Sequence, residues 1–129
     1  MPIEIPESHR DLLEKKGFAH IATVGPKGEP QTTPVWFTWD GSQLMFSNTK
    51  GRQKFRNLSR DPRVAVSILD PDNPYRYLEI RGTATIEDDS DKVLIQELGH
   101  KYTGTDYPSP PEEQRVIIRI TPEHVSHMG

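Results

Sequence analysis

The turns of this chain constrain its fold more than any other feature, because most of them are too short for a parallel crossover. Gly25-Pro26-Lys27-Gly28 separates an apolar run at residues 18–24 from a second at 31–39. Asp40-Gly41, a strong hairpin dipeptide, leads into a third at 43–47. A parallel connection takes a dozen or more residues, so neighbours joined this way pair antiparallel. Residues 63–69 alternate cleanly, with Val64, Val66 and Ile68 on one face and Ala65, Ser67 and Leu69 on the other. Asp70-Pro71-Asp72-Asn73-Pro74 is expected to interrupt the ladder. A long strand is expected at 75–86 and a closing one at 114–120, where Val116, Ile118 and Ile120 alternate against Ile117 and Arg119.

Three short helices punctuate these runs. Ser8-His9-Arg10-Asp11 has the form of an N-terminal cap, with Leu12 and Leu13 as the apolar face and Gly17 as the stop. Residues 51–59 form a basic helix that Asp61-Pro62 ends. A third helix is expected from about Asp89 to Tyr102, acidic at its start (Asp89, Asp91) and basic at its end (His100, Lys101), as the helix dipole favours. A proline-rich loop follows at 103–111. Six mostly antiparallel strands with short helices define a mainly β domain, a closed or partly closed barrel spanning 1–129.

Composition narrows the function classes. Lys+Arg 16 against Asp+Glu 19 gives a net charge of −3, which disfavours general nucleic-acid binding. With no cysteine, thiolate catalysis, disulfides and cysteine metal sites are excluded. No apolar run resembles a signal peptide or a membrane span, so a cytoplasmic location is expected. Hydrophobic content of 33% is low for a self-covering core and favours a dimer. The five histidines lack metal-ligand spacing on one element apart from His124 and His127, and no metal site is expected. Asp88-Asp89-Ser90-Asp91 lacks the glycine of a calcium loop and reads as a helix start. Trp36 and Trp39, three apart on one strand, should face opposite ways, one in the core and one at a pocket or interface.

One segment carries chemistry. Ser47-Asn48-Thr49-Lys50-Gly51 leaves a strand and opens a helix bearing Arg52 and Lys54. In a net acidic chain, clustered cations at a helix start form a candidate phosphate site. On pattern alone a solvated helix face carries the same cluster, and both readings stand at this level.

The order of segments resembles the pyridoxamine 5'-phosphate oxidase-like split β-barrel family of flavin and deazaflavin proteins. The resemblance runs from about Leu12 to Val125. It rests on residues 18–24 followed by Gly28-Glu29-Pro30-Gln31, on Pro34-Val35-Trp36-Phe37 before Asp40-Gly41, and on residues 77–84 with Gly82-Thr83-Ala84. Its most specific part is Lys54-Phe55-Arg56-Asn57-Leu58-Ser59-Arg60-Asp61-Pro62-Arg63-Val64, and residues 115–125 complete it.

The resemblance implies a six-stranded split barrel that forms a homodimer, with cofactor sites at the interface and a small-molecule substrate. It puts the cofactor phosphate against Arg52 and Lys54, with Gln53 and Asn57 nearby. The ring system would lie along Gln31, Thr32, Thr33, Pro34, Val35 and Trp36. Ser47 and Asn48 would meet the ribityl–phosphate region, and Tyr75, Arg76 and Tyr77 would come from the partner. The short chain and the run from Lys54 to Arg63 look like the branch that uses the deazaflavin F420, with FMN as the alternative. Lys50 and Arg56 are then candidates for the glutamate tail of F420. The implied activity is hydride transfer from reduced F420 to an electrophile such as an enone, a quinone or a tetrapyrrole-like compound. Its alternatives are an FMN oxidoreductase of the same fold and a cofactor-binding protein without efficient turnover. No catalytic side chain is assigned, since the cofactor carries the hydride chemistry. Tyr75 and Tyr77 are candidate proton donors beside solvent.

Overall fold

The computed structural model of the protein describes residues 3–129. After a 3₁₀ helix at Glu7–Leu13 come β1 (Ala19–Val24), β2 (Pro30–Val35), β3 (Thr38–Trp39) and β4 (Leu44–Thr49). Then follow α1 (Gln53–Arg60), β5 (Arg63–Asp70), β6 (Asn73–Asp88), α2 (Val93–Thr103) and β7 (Arg115–Met128). The strands form one seven-stranded sheet in the order β2-β1-β5-β6-β7-β4-β3, every pairing antiparallel. It curls into the half-barrel of the split-barrel fold.

Alternation decides which face is core. Ile21, Val66 and Ile80 lie in one row across β1, β5 and β6, and Phe46 faces Ile118 across β4 and β7; all are essentially inaccessible. Leu12 and Leu13 of the 3₁₀ helix and Leu58 of α1 pack into the same core. The sequence therefore places the core correctly.

Several boundaries differ from expectation, each for a local reason. The run at 31–39 is two strands, because Trp36 and Phe37 break the ladder between β2 and β3 and give seven strands rather than six. Trp39 packs on the core while Trp36 lies in that break. The first helix is 3₁₀, and no side chain caps it. The third begins at Val93 rather than near Asp89, because Lys92 takes a left-handed conformation (φ 57°). Asp89 still caps it from outside, its carboxylate accepting from the amides of Val93 and Leu94 at 3.0 and 2.9 Å.

The ladder also survives both proline segments. Asn73 pairs with Asp70 across a tight turn, and Pro74 falls in the irregular stretch before Tyr77 meets Leu69, where a missing N–H costs nothing. Strand β7 runs on to Met128 through Pro122 by means of a bulge at Glu123, opposite Arg81/Gly82. Gly82 is required there: a Cβ would lie 2.0 Å from the carbonyl oxygen of Thr121. Among the described residues, no helix is long and apolar enough to cross a membrane, and no cluster of three or more His, Asp or Glu is placed to hold a metal.

Candidate functional site

A cleft of about 400 Å³ opens where β2, the end of β4 and the start of α1 converge beneath α2. Its lining includes Thr33, Pro34, Val35 and Trp36 from β2 and the break after it, Ser47 and Asn48 from β4, and Arg52 and Lys54 at α1. The structure thus joins the strand and the basic cluster that sequence had singled out separately. The lining contains three cations and no carboxylate, in a chain of net charge −3.

Lys54 is half-buried. Burial, and next the charge of Arg52, hold its ammonium below the ordinary lysine value. A cation kept in that state gains most from an incoming anion. Two buried polar atoms of the lining, Thr33 Oγ1 and Asn48 Nδ2, have no hydrogen-bond partner among the described residues. Buried polar groups are nearly always paired, so such orphans mark places where a ligand atom belongs. Asn48 is only 4% exposed and lines the cleft.

The remaining expected residues stand outside the lining, with specific engagements. Asn57 is fully buried behind it: its Nδ2 donates to Thr23 Oγ1 at 2.9 Å, and its Oδ1 accepts from Gln53 Nε2 at 2.8 Å. Gln31 joins this network by accepting from Thr23 Oγ1 at 3.3 Å. Asn57 therefore ties α1 to β1 and β2, and fixes where Arg52 and Lys54 sit. Thr32 is exposed, on the other face of β2. Lys50 pairs with Asp88 at 2.9 Å, and Arg56 reaches the Gly51 carbonyl and Gln53. Arg76 is held by Asp11 at 2.5 Å and Asp70 at 2.9 Å. Tyr75 is 82% exposed and Tyr77 half-buried; neither lines the cleft.

The cleft also has an aromatic side, of which sequence reasoning found Trp36 but missed Tyr107. Trp36 stacks on Tyr102, with ring centroids 5.1 Å apart and planes at 10°, and meets Tyr107 edge-on at 6.0 Å. Tyr102 is pinned: its hydroxyl donates to the Gly17 carbonyl at 2.6 Å and accepts from the Phe37 amide at 3.2 Å. The Gln96 side chain clamps the backbone of Tyr107 through both its atoms, at 2.7 and 2.9 Å. Phe18, Thr49, Ile95, Leu98 and Arg115 complete the wall. Tyr107 sits in a proline-rich loop and Arg115 opens a strand, so neither stands in a pattern that advertises a site.

Comparison with known proteins agrees with this architecture. The family model described as pyridoxamine 5'-phosphate oxidase matches residues 5–129. A solved structure titled F420 reductase superposes with a TM-score of 0.87 at 43% identity, covering 95% of this chain and 98% of that one. A conserved hypothetical protein from Mycobacterium tuberculosis shares the fold with a TM-score of 0.78 at 24% identity, over 98% of this chain and 86% of its own. Among curated proteins, the 5a,11a-dehydrotetracycline/5a,11a-dehydrooxytetracycline reductase of Streptomyces rimosus is 38% identical over 81 residues. That match spans 56% of each chain, so this chain covers little more than half of that relative. With the family match running through β1 to β7, the chain belongs to the pyridoxamine 5'-phosphate oxidase family.

Proposed function

We propose that this chain is an oxidoreductase that binds the deazaflavin F420 in the cleft and uses its reduced form to reduce a small conjugated electrophile. The observation that carries the reading is the junction of Arg52 and half-buried Lys54 with the orphaned donors on β2 and β4, in a cleft without carboxylates. Its support among relatives is the 43% identical F420 reductase structure, over nearly the whole of both chains. The dehydrotetracycline reductase relative favours an enone-like acceptor, which is the finer part of the proposal.

In this reading Arg52 and Lys54 hold the phosphate, Arg by a bidentate fork and Lys as a point charge. Asn57 and Gln53 brace α1 from behind, and Asn48 and Thr33 donate to acceptor atoms of the ligand. The ring lies along Thr33, Pro34, Val35 and Trp36. When bound, the reduced deazaflavin supplies a hydride; the protein's part is orientation and electrostatics. We also propose a homodimer in which the exposed Tyr75, with Tyr77, closes the partner's cleft, while Arg76 braces that strand end within its own chain. Light scattering should then give twice the 14.7 kDa chain mass. A monomer removes this part of the proposal.

The deciding experiment is a parallel titration of apoprotein with F420 and FMN by fluorescence quenching. Tight F420 binding with weak FMN binding supports the reading, and turnover of an enone with reduced F420 then separates an enzyme from a carrier. A preference for FMN overturns the choice of cofactor.

A further inference from the structure

Arg115 is buried, with 9% exposure, yet the phosphate site does not account for it. A buried cation has to be paired. Its Nε donates to Glu113 Oε1 at 2.6 Å, and Glu113 is steadied by Ser109 Oγ at 2.9 Å. The guanidinium lies 5.1 Å over the Tyr107 ring. The group is therefore anchored through Nε and one face, while its outer nitrogens line the cleft.

Its direction separates it from the phosphate cations. In the β4–β7 ladder Arg115 pairs with Thr49, next to the stretch that leads into α1. Its Nη1, however, lies 3.4 Å from Ser47 Oγ, two residues back along β4 and away from α1. A contact of that length is weak, so the fork is not consumed by the protein. The guanidinium lies over Tyr107, on the aromatic side of the cleft. Asn48, between Ser47 and Thr49, pairs with Val116 and faces the other side of the ladder. Among the described residues, the outer nitrogens of Arg115 thus have only the weak contact to Ser47.

Resting on the reading above, we propose that Arg115 determines substrate specificity by recognising an ionised oxygen on a conjugated molecule held in the cleft beside Trp36. An anchored guanidinium offers its outer N–H groups to such an oxygen, and the indole of Trp36 supplies apolar surface for the skeleton. A cofactor oxygen is the other possible source of the same chemistry, and the test separates the two.

Isothermal titration of the full chain with 2-naphthoate and with its neutral analogue 2-naphthamide reads the subsite directly. The wild type should bind the carboxylate at least about tenfold more tightly, as a hydrogen-bonded charge implies. Arg115→Gln should bring the two ligands to within about twofold, while Lys54→Gln keeps the preference. Arg115→Lys, which keeps the charge but loses the fork, should cut the preference to about threefold or less even if Arg115→Gln proves unstable. F420 affinity in Arg115→Gln should stay within about twofold of wild type. A preference that survives undiminished in Arg115→Gln or, where that variant is unstable, in Arg115→Lys, one that falls as far in Lys54→Gln, or a tenfold loss of F420 affinity in Arg115→Gln overturns the proposal. Failure of F420 to bind the wild type, with the naphthoate preference intact, would instead remove the cofactor reading and leave the anion subsite.

Discussion

Replacing Asn57 with Ala tests whether the site is built from behind. The side chain is fully buried and makes two well-formed hydrogen bonds, to Thr23 Oγ1 at 2.9 Å and from Gln53 Nε2 at 2.8 Å. Each contributes about 1 kcal/mol net. Removing the amide also leaves a small cavity beside Thr23, itself only 2% exposed, which adds about another 1 kcal/mol. Arg60 Nη2 and Gln31 Oε1, both at 3.4 Å, are too far to add much. The expected loss is therefore about 3 kcal/mol, readable as a lower urea midpoint followed by tryptophan fluorescence. A cycle with Thr23→Ala isolates the contact and should return a coupling of about 1 kcal/mol. Cofactor affinity should fall as well, although Asn57 lies outside the cleft, because α1 would lose the strut that sets Arg52 and Lys54. A loss below about 1 kcal/mol, or additivity in the cycle, refutes the idea that this network fixes the helix.

Other expectations follow from single contacts. Lys54→Ala should weaken cofactor binding by about 1–3 kcal/mol through loss of a charge-assisted phosphate contact. Since burial lowers the Lys54 pKa in the free protein, and a bound anion raises it again, wild-type affinity should decline at alkaline pH as the ammonium is lost, and Lys54→Arg should flatten that decline; equilibrium binding across pH checks both. Gly82→Ala forces a Cβ to within 2.0 Å of the Thr121 carbonyl oxygen and should cost roughly 3 kcal/mol or prevent folding, measured by urea unfolding. Asp70 is held down to about 2 by the Asp72 amide and by Arg76 and Lys15. A depressed carboxyl pKa stabilises the fold above its unfolded value and loses that contribution as pH falls from about 4 to about 2; Asp70→Asn should remove that part of the acid transition in a pH-dependent melt.

The barrel was legible because its information is local. Alternation in 63–69 and 116–120 sets the buried face, and short turns force antiparallel neighbours. What misled the reading was the proline segment at 70–74, expected to interrupt the ladder, and a closing strand expected to end at Ile120. Pro74 falls where the β5–β6 register shifts, while at Pro122 the extra residue Glu123 bulges β7 against Gly82, a glycine forty residues earlier in the chain that makes room for it. No window along the chain contains that information.

The site divides the same way. Arg52 and Lys54 could be singled out because like charges cluster at one helix start, a pattern visible in a few residues. Arg115 could not, since its meaning depends on Glu113 holding one side, Tyr107 covering a face and Ser47 standing across the ladder on β4. An arginine in a strand is ordinarily a solvated residue. Burial turns it into a recognition group only when one edge is neutralised and the other left open, and that condition is a property of the assembled sheet. If the naphthoate preference follows Arg115, then in this barrel the local cluster holds the cofactor, and the residues brought together by the fold select the substrate.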